Sequence, residues 1–258
     1  MDSLTGKVAL VTGAGSGIGR AVSLALAREG CRVVLAGRRE DRLARVAGEV
    51  RGQGGKAFPM ACDVGSRTAV DALAKSAGRV GVVQILVNSA GIAPAASFLE
   101  MEDGLLEEVL RVNFMGTCYC CKRFLGPMIG AGWGRVLNIA STTAKTGYSH
   151  TAAYTASKHA VLGLTKVLAL ETARKGVTVN AICPGYVDTE LTRENARLMA
   201  ARVGATAAEV LERFARTSPQ RRLVAPEEVA ELAVLLAGPA GDSVTGQGIN
   251  LDGGAFMG

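Results

Sequence analysis

Val8-Ala9-Leu10-Val11-Thr12-Gly13-Ala14-Gly15-Ser16-Gly17-Ile18-Gly19 is the stretch whose reading decides the fold of this chain. Its first five residues form an apolar run without alternation, as in a strand buried on both faces of a parallel sheet. The glycines that follow permit a tight turn and let backbone N–H groups approach a pyrophosphate closely. Residues 18–28 then place apolar side chains at helical spacing, with Gly30 closing the helix. The positive N-terminal end of that helix points back at the turn. A glycine cluster alone describes any flexible turn; its position between the first strand and first helix of a βαβ unit gives it weight.

Working outward, residues 32–36, 56–62, 84–88, 134–140, 178–183 and 248–251 read as six further strands. Residues 40–52, 69–77, 105–129, 154–174 and 227–237 read as helices between them. This alternation predicts an α/β, doubly wound, mostly parallel seven-stranded sheet with helices on both faces, a single domain over residues 1–258. Only residues 186–220 break the rhythm, as a polar, irregular stretch with helical pieces. An insertion there lies at the carboxyl edge of the sheet, where open α/β folds bind ligands, and is the candidate substrate lid.

Composition narrows the function classes. A chain of 258 residues, 48% of them apolar, buries a sizeable core without disulfides or metals. The net charge of +6 is not gathered into a basic arm, which argues against a nucleic-acid partner. The start lacks a basic segment followed by an apolar one, and no apolar run reaches the roughly 18–20 residues of a membrane span. A cytoplasmic protein with no membrane partner is therefore expected. Six cysteines include Cys118-x-x-Cys121, but no second pair or neighbouring histidine follows, so buried thiols are expected rather than a metal site.

Thr12-Gly13-x-x-x-Gly17-x-Gly19 departs from the dinucleotide G-x-G-x-x-G spacing. With Asn88-Ser89-Ala90-Gly91, Ser141, Tyr154-x-x-x-Lys158 and Pro184-Gly185 in the same order, the chain resembles the short-chain dehydrogenase/reductase family over its whole length. Within that family the stretches around Ser141 and Pro184 look most like ketoacyl, polyketide and hydroxybutyrate-type reductases. The resemblance implies a Rossmann-type fold, a tetramer or dimer, and hydride exchange between a nicotinamide nucleotide and a secondary alcohol or ketone, here a β-keto or cyclic ketone. It places the cofactor against Gly13, Gly15, Ser16, Gly17, Ile18 and Gly19, with Asp63 and Val64 at the adenine. Asn88, Ala90 and Gly91 line the adenosine ribose, and Pro184, Gly185, Val187 and Thr189 the nicotinamide side. Ser89 replaces the family's more usual second asparagine.

Cofactor choice rests on the end of the second strand, where a carboxylate would bind a ribose 2′-hydroxyl and repel a 2′-phosphate. The chain has Ala36-Gly37-Arg38-Arg39 instead. A guanidinium can pair with a phosphate through two hydrogen bonds, so NADP(H) is favoured and NAD(H) is the alternative.

Tyr154 and Lys158 are four residues apart on a predicted helix and share a face. An ammonium beside the phenol is expected to lower its ordinary pKa near 10 and ready it for proton transfer. Ser141, just past the fifth strand, can hydrogen-bond the substrate oxygen. By resemblance Lys158 also binds the nicotinamide ribose, and Asn113 holds a water next to that lysine. Tyr148 has no lysine four residues on and is assigned to the substrate wall; His150 and His159 match no catalytic position. Arg193, Arg197, Arg202, Arg213 and Arg216 of the lid face either an acyl carrier or solvent. Three rival functions remain: an NAD-dependent hydroxyacyl or secondary-alcohol dehydrogenase, an enoyl reductase, and a nucleotide-sensing protein without catalysis.

Overall fold

The computed structural model describes residues 4–257, so Met1–Ser3 and Gly258, the extreme ends of the expected domain, lie outside the described residues. Seven strands form one sheet: β1 (Val8–Thr12), β2 (Arg32–Gly37), β3 (Lys56–Ala61), β4 (Val83–Asn88), β5 (Gly134–Ile139), β6 (Val177–Pro184) and β7 (Gly248–Leu251). Their order is β3-β2-β1-β4-β5-β6-β7 and every pairing is parallel.

All five residues of β1 are buried, and their alternation feeds two cores. Ala9 and Val11 join one cluster with Val22 and Leu26 of α1 (Gly17–Arg28), Leu43 and Val46 of α2 (Glu40–Gly52), and Val229 and Leu236 of a late helix. Val8 and Leu10 join the other, with Leu73 of α3 (Arg67–Gly78) and with Phe124 and Met128 further along. A strand covered on both faces has no polar side to show, which is why its sequence runs apolar without a break.

Residues 105–129, expected as one helix, are interrupted. α4 (Asp103–Leu110) and α5 (Gly116–Gly130) are joined by one π-helical segment, Arg111–Met115. Wider turns of this kind occur mostly as single insertions in helices, often at functional sites. α6 (Ala152–Thr172) starts two residues before Tyr154. The stretch after β6 is more regular than its sequence suggests. It holds α7 (Glu190–Val203) and α8 (Ala207–Arg216) before α9 (Pro226–Ala237). Caps account for the regularity: the Thr189 hydroxyl accepts from the Thr192 amide, and Thr206 and Glu209 form a reciprocal capping box.

Because β1 is followed by β2 on one side and its other neighbour is β4, the chain winds away from β1 in both directions. A crevice opens beyond the carboxyl ends of β1 and β4, the topological switch point where such sheets take ligands. Among the described residues no helix is long and apolar enough to cross a membrane.

Candidate active site

A cleft of about 470 Å³ lies at that switch point, lined by Gly13, Gly15, Ser16, Gly17, Ile18, Gly19, Arg38, Arg39, Asp63, Val64, Ala90, Gly91 and Thr189 among others. The glycines are required by close approach. Gly13 has φ +67°, and a Cβ there would stand 2.9 Å from the Ala90 backbone. A Cβ on Gly17 would meet the Thr189 methyl at 3.1 Å. Thr12 holds the turn together: its hydroxyl accepts from the Ser89 and Ala90 amides at 3.0 and 3.1 Å and donates to the Val87 carbonyl at 3.4 Å. Only its place immediately before the first glycine pointed to that role.

The cleft fits a dinucleotide. Side chains on its glycines would collide with its own walls, which leaves a backbone-lined cradle at the start of α1. Arg38 and Arg39 line the cleft; among the described residues neither guanidinium makes a hydrogen bond or ion pair, though Arg38 lies near enough to Asp63, and Arg39 to Glu190, to favour those carboxylates. Two such guanidiniums at the end of β2 suit a 2′-phosphate.

Asp63 is held ready by neighbours. Burial pushes its carboxyl up, but Arg111 at 3.0 Å and the Gly65 amide at 3.0 Å outweigh that and hold it below the usual carboxylate range. Asn88 sits beneath the floor instead of lining it. Its amide donates to Asn138 at 2.8 Å in a buried chain that continues through Asn138 to Thr165 at 2.9 Å. Pro184, Gly185 and Val187 likewise lie outside the lining; Val187 is buried and bridges to Val224. Leu43, Cys62, Ile92, Val112, Glu190, Leu191 and Glu194 also line the walls, and these the sequence motifs did not pick out.

At the carboxyl end of β5 stand Ser141, Tyr154 and Lys158. The Ser141 hydroxyl hydrogen-bonds the Tyr154 phenol, and the Lys158 ammonium lies 5.5 Å from the centre of the tyrosine ring. Lys158 is buried and donates to the Ile139 carbonyl at 2.7 Å. Gly91 leaves room for this assembly, since a Cβ there would be 3.2 Å from Asn113 Oδ1 and 3.8 Å from Lys158 Nζ.

The ionisation differs from the expectation. Burial pushes the Tyr154 phenol up to about 12; Ser141 opposes that push, while Tyr186 and Cys183 add to it. Burial also lowers Lys158 to about 8. No lowering by Lys158 offsets this rise of the phenol. The phenol, like any that titrates at or above its ordinary value near 10, keeps its proton throughout the neutral range.

Asn113 lies in the π-helical segment, and its side chain is taken up by protein. Its Oδ1 accepts from the Ile92 amide at 2.9 Å, and its Nδ2 donates to the Ile92 carbonyl at 2.9 Å and to Ser157 Oγ at 3.0 Å. The amide thus ties the α4–α5 junction to α6 and to the segment after β4.

Tyr148 stands near Tyr186, whose ring stacks on Phe214 of α8 at 4.2 Å. His150 and His159 are exposed. Arg193, Arg197 and Arg216 pair with Asp188, Glu194 and Glu212, and Arg202 donates to the Ala95 carbonyl, so most of the lid arginines serve the lid itself. Cys118 and Cys121 are free thiols, with Cys121 pushed up to about 12 by burial.

Backbone-lined cradle at the switch point, guanidiniums beyond β2, and an acid group above β5 together define a nicotinamide-nucleotide oxidoreductase acting on CH–OH and ketone groups. Comparison with known proteins narrows the class. The short chain dehydrogenase family profile matches residues 7–199, and the chain belongs to that family. It is 40% identical over 257 residues to a Streptomyces coelicolor protein described as a ketoacyl reductase, covering 98% of each chain. It is 38% identical over 261 residues to a 3beta-hydroxysteroid dehydrogenase of Mediterraneibacter gnavus, covering 96% of this chain and 94% of the other. Among solved structures, a point variant of actinorhodin polyketide ketoreductase with NADPH matches at a TM-score of 0.94 and 40% identity, covering 99% of both chains.

Proposed function

We propose that the protein is an NADP(H)-linked ketoreductase that delivers a proton from Tyr154 to the oxygen of a β-keto or cyclic ketone. The observation that carries the reading is the meeting of the Ser141 hydroxyl and the Tyr154 phenol, with the Lys158 ammonium 5.5 Å from the tyrosine ring centre. A general acid must be protonated before it acts, and this one is. Bound nicotinamide nucleotide supplies the hydride to the carbonyl carbon. Arg38 and Arg39 hold the 2′-phosphate, the Gly13–Gly19 turn holds the pyrophosphate, and Thr189 holds the carboxamide side.

Ser141 donates to the same carbonyl oxygen as Tyr154, so charge gathering there is met by two hydroxyl donors. Once the phenol has given its proton to the carbonyl oxygen, a phenolate stands beside the buried Lys158 ammonium where a neutral phenol stood before. Lys158 then stabilises the anion it could not create in the resting site. Asn113 keeps Lys158's surroundings fixed by clamping Ile92 and Ser157. Oxidation of an alcohol runs the same steps backwards.

The ketoacyl and polyketide relatives support a β-keto substrate, and the hydroxysteroid relative supports a cyclic one. Exposed Val167 and Leu170 on α6 support assembly through that helix into a tetramer or dimer. Six free thiols suit a reducing compartment and support a cytoplasmic location. A panel of β-keto thioesters, cyclic ketones and their alcohols, each with NADPH and NADH, tests the reading. Reduction of ketones with preference for NADPH is expected; turnover of enoyl thioesters alone, or of no carbonyl compound, would refute it.

A further inference from the structure

Helix α7 is fastened to both walls of the cleft, and the fastening on the α2 side is a charged one. Arg42 of α2 makes a two-pronged bridge to Glu190, the first residue of α7 and 148 residues away in the chain. Its second prong, Nη2 to Oε1, is 3.0 Å long. The same arginine packs on the glycine turn, for a Cβ on Gly15 would lie 3.1 Å from Arg42 Cβ. Across the cleft, α7 is tied by Asn195 to the Ala93 carbonyl at 3.0 Å and by Arg202 to the Ala95 carbonyl at 2.9 Å. Glu190 itself lines the cleft.

We propose that Arg42 and Glu190 form a latch that keeps α7 over the bound nucleotide and sets how fast that nucleotide leaves. The inference rests on the reading of the cleft as the nicotinamide-nucleotide site. Both residues are positioning residues, acting through the lid. The Arg42 side chain is 23% exposed and the Glu190 side chain 58%, so the pair is too wet to stabilise the fold appreciably. Its effect lies in where it stands: α7 cannot swing from the glycine turn without breaking it. A carboxylate–guanidinium fork is directional and salt-sensitive, two properties that a latch of this kind passes on to nucleotide release.

Glu190 also feels Arg39 and Arg45, which suggests a competing role. A carboxylate among arginines could instead weaken the site for a 2′-phosphate by occupying one of them. The two roles differ in outcome, because the latch acts on NADPH and NADH alike.

The test is stopped-flow displacement of NADPH, and separately of NADH, from the full-length protein, followed by nucleotide fluorescence. Arg42→Gln and Glu190→Gln are each expected to speed release of both nucleotides about two- to fivefold, the range an exposed ion pair supports. The charge swap Arg42→Glu with Glu190→Arg is expected to restore slow release, and added salt to speed release from the unaltered protein more than from the single variants. Unchanged release in the single variants, acceleration confined to NADPH, tighter NADPH binding in Glu190→Gln, or a swap that restores nothing would overturn the latch. Failure of the unaltered protein to bind either nucleotide would instead overturn the cofactor reading beneath it.

Discussion

Replacing Lys158 by methionine is expected to abolish turnover while making the folded protein no weaker, and even stronger, at neutral pH. The lysine is buried, and burial lowers its pKa from 10.5 to about 8. That gap corresponds to ~3 kcal/mol of disfavour for the ammonium in the folded state. An unfolded chain keeps the proton up to the ordinary lysine value, whereas the folded chain loses it near 8. Between those two values the unfolded state binds more protons, so this residue's contribution to stability rises with pH through that window. Below about 8 both states are protonated and the full disfavour remains. Methionine removes the charge but takes a donor from the Ile139 carbonyl, a loss of ~1–3 kcal/mol. At pH 7 the variant should therefore equal the unaltered protein or exceed it by up to ~2 kcal/mol. Equilibrium urea unfolding of both proteins, without nucleotide and at matched concentration from pH 7 to 10, reads the difference. The variant's relative stability should fall by ~2–3 kcal/mol across that range. A difference that stays flat with pH, or grows toward alkaline pH, would refute the argument that Lys158 is held in the folded state at a desolvation cost.

Arg38→Ala should raise the dissociation constant for NADPH about tenfold and leave that for NADH within about twofold, since an exposed charge-assisted contact is worth roughly 1.5 kcal/mol; fluorescence titration with both nucleotides checks this. Ser141→Ala removes an interaction that lowers the Tyr154 phenol and one donor at the substrate oxygen. Its kcat for ketone reduction should drop about 10²-fold or more with nucleotide affinity unchanged.

The glycine turn, the strand–helix rhythm and the Tyr154–Lys158 spacing were legible because each follows from local geometry. A buried parallel strand has to be apolar throughout, and residues four apart on a helix have to share a face. What escaped the sequence depends on contacts between distant segments. Burial pushes Tyr154 up where a neighbouring ammonium was expected to pull it down, and no local pattern records how much water the finished fold excludes. The bonds from the Asn113 amide to Ile92 and Ser157 depend on the π-helical segment, which no local motif announces. Residues 186–220 read as irregular because their polar surface hides the caps at Thr189 and Thr206 that start α7 and α8. The Arg42–Glu190 bridge joins residues that nothing in the sequence pairs.

Single-turnover reduction of a ketone by the Tyr154→Phe variant, loaded with NADPH, tests the central claim. NADPH should bind as before while its oxidation slows about 10²- to 10⁴-fold, the usual reach of a positioned proton donor. NADPH oxidation at the unaltered rate would contradict the assignment of the phenol as the proton source.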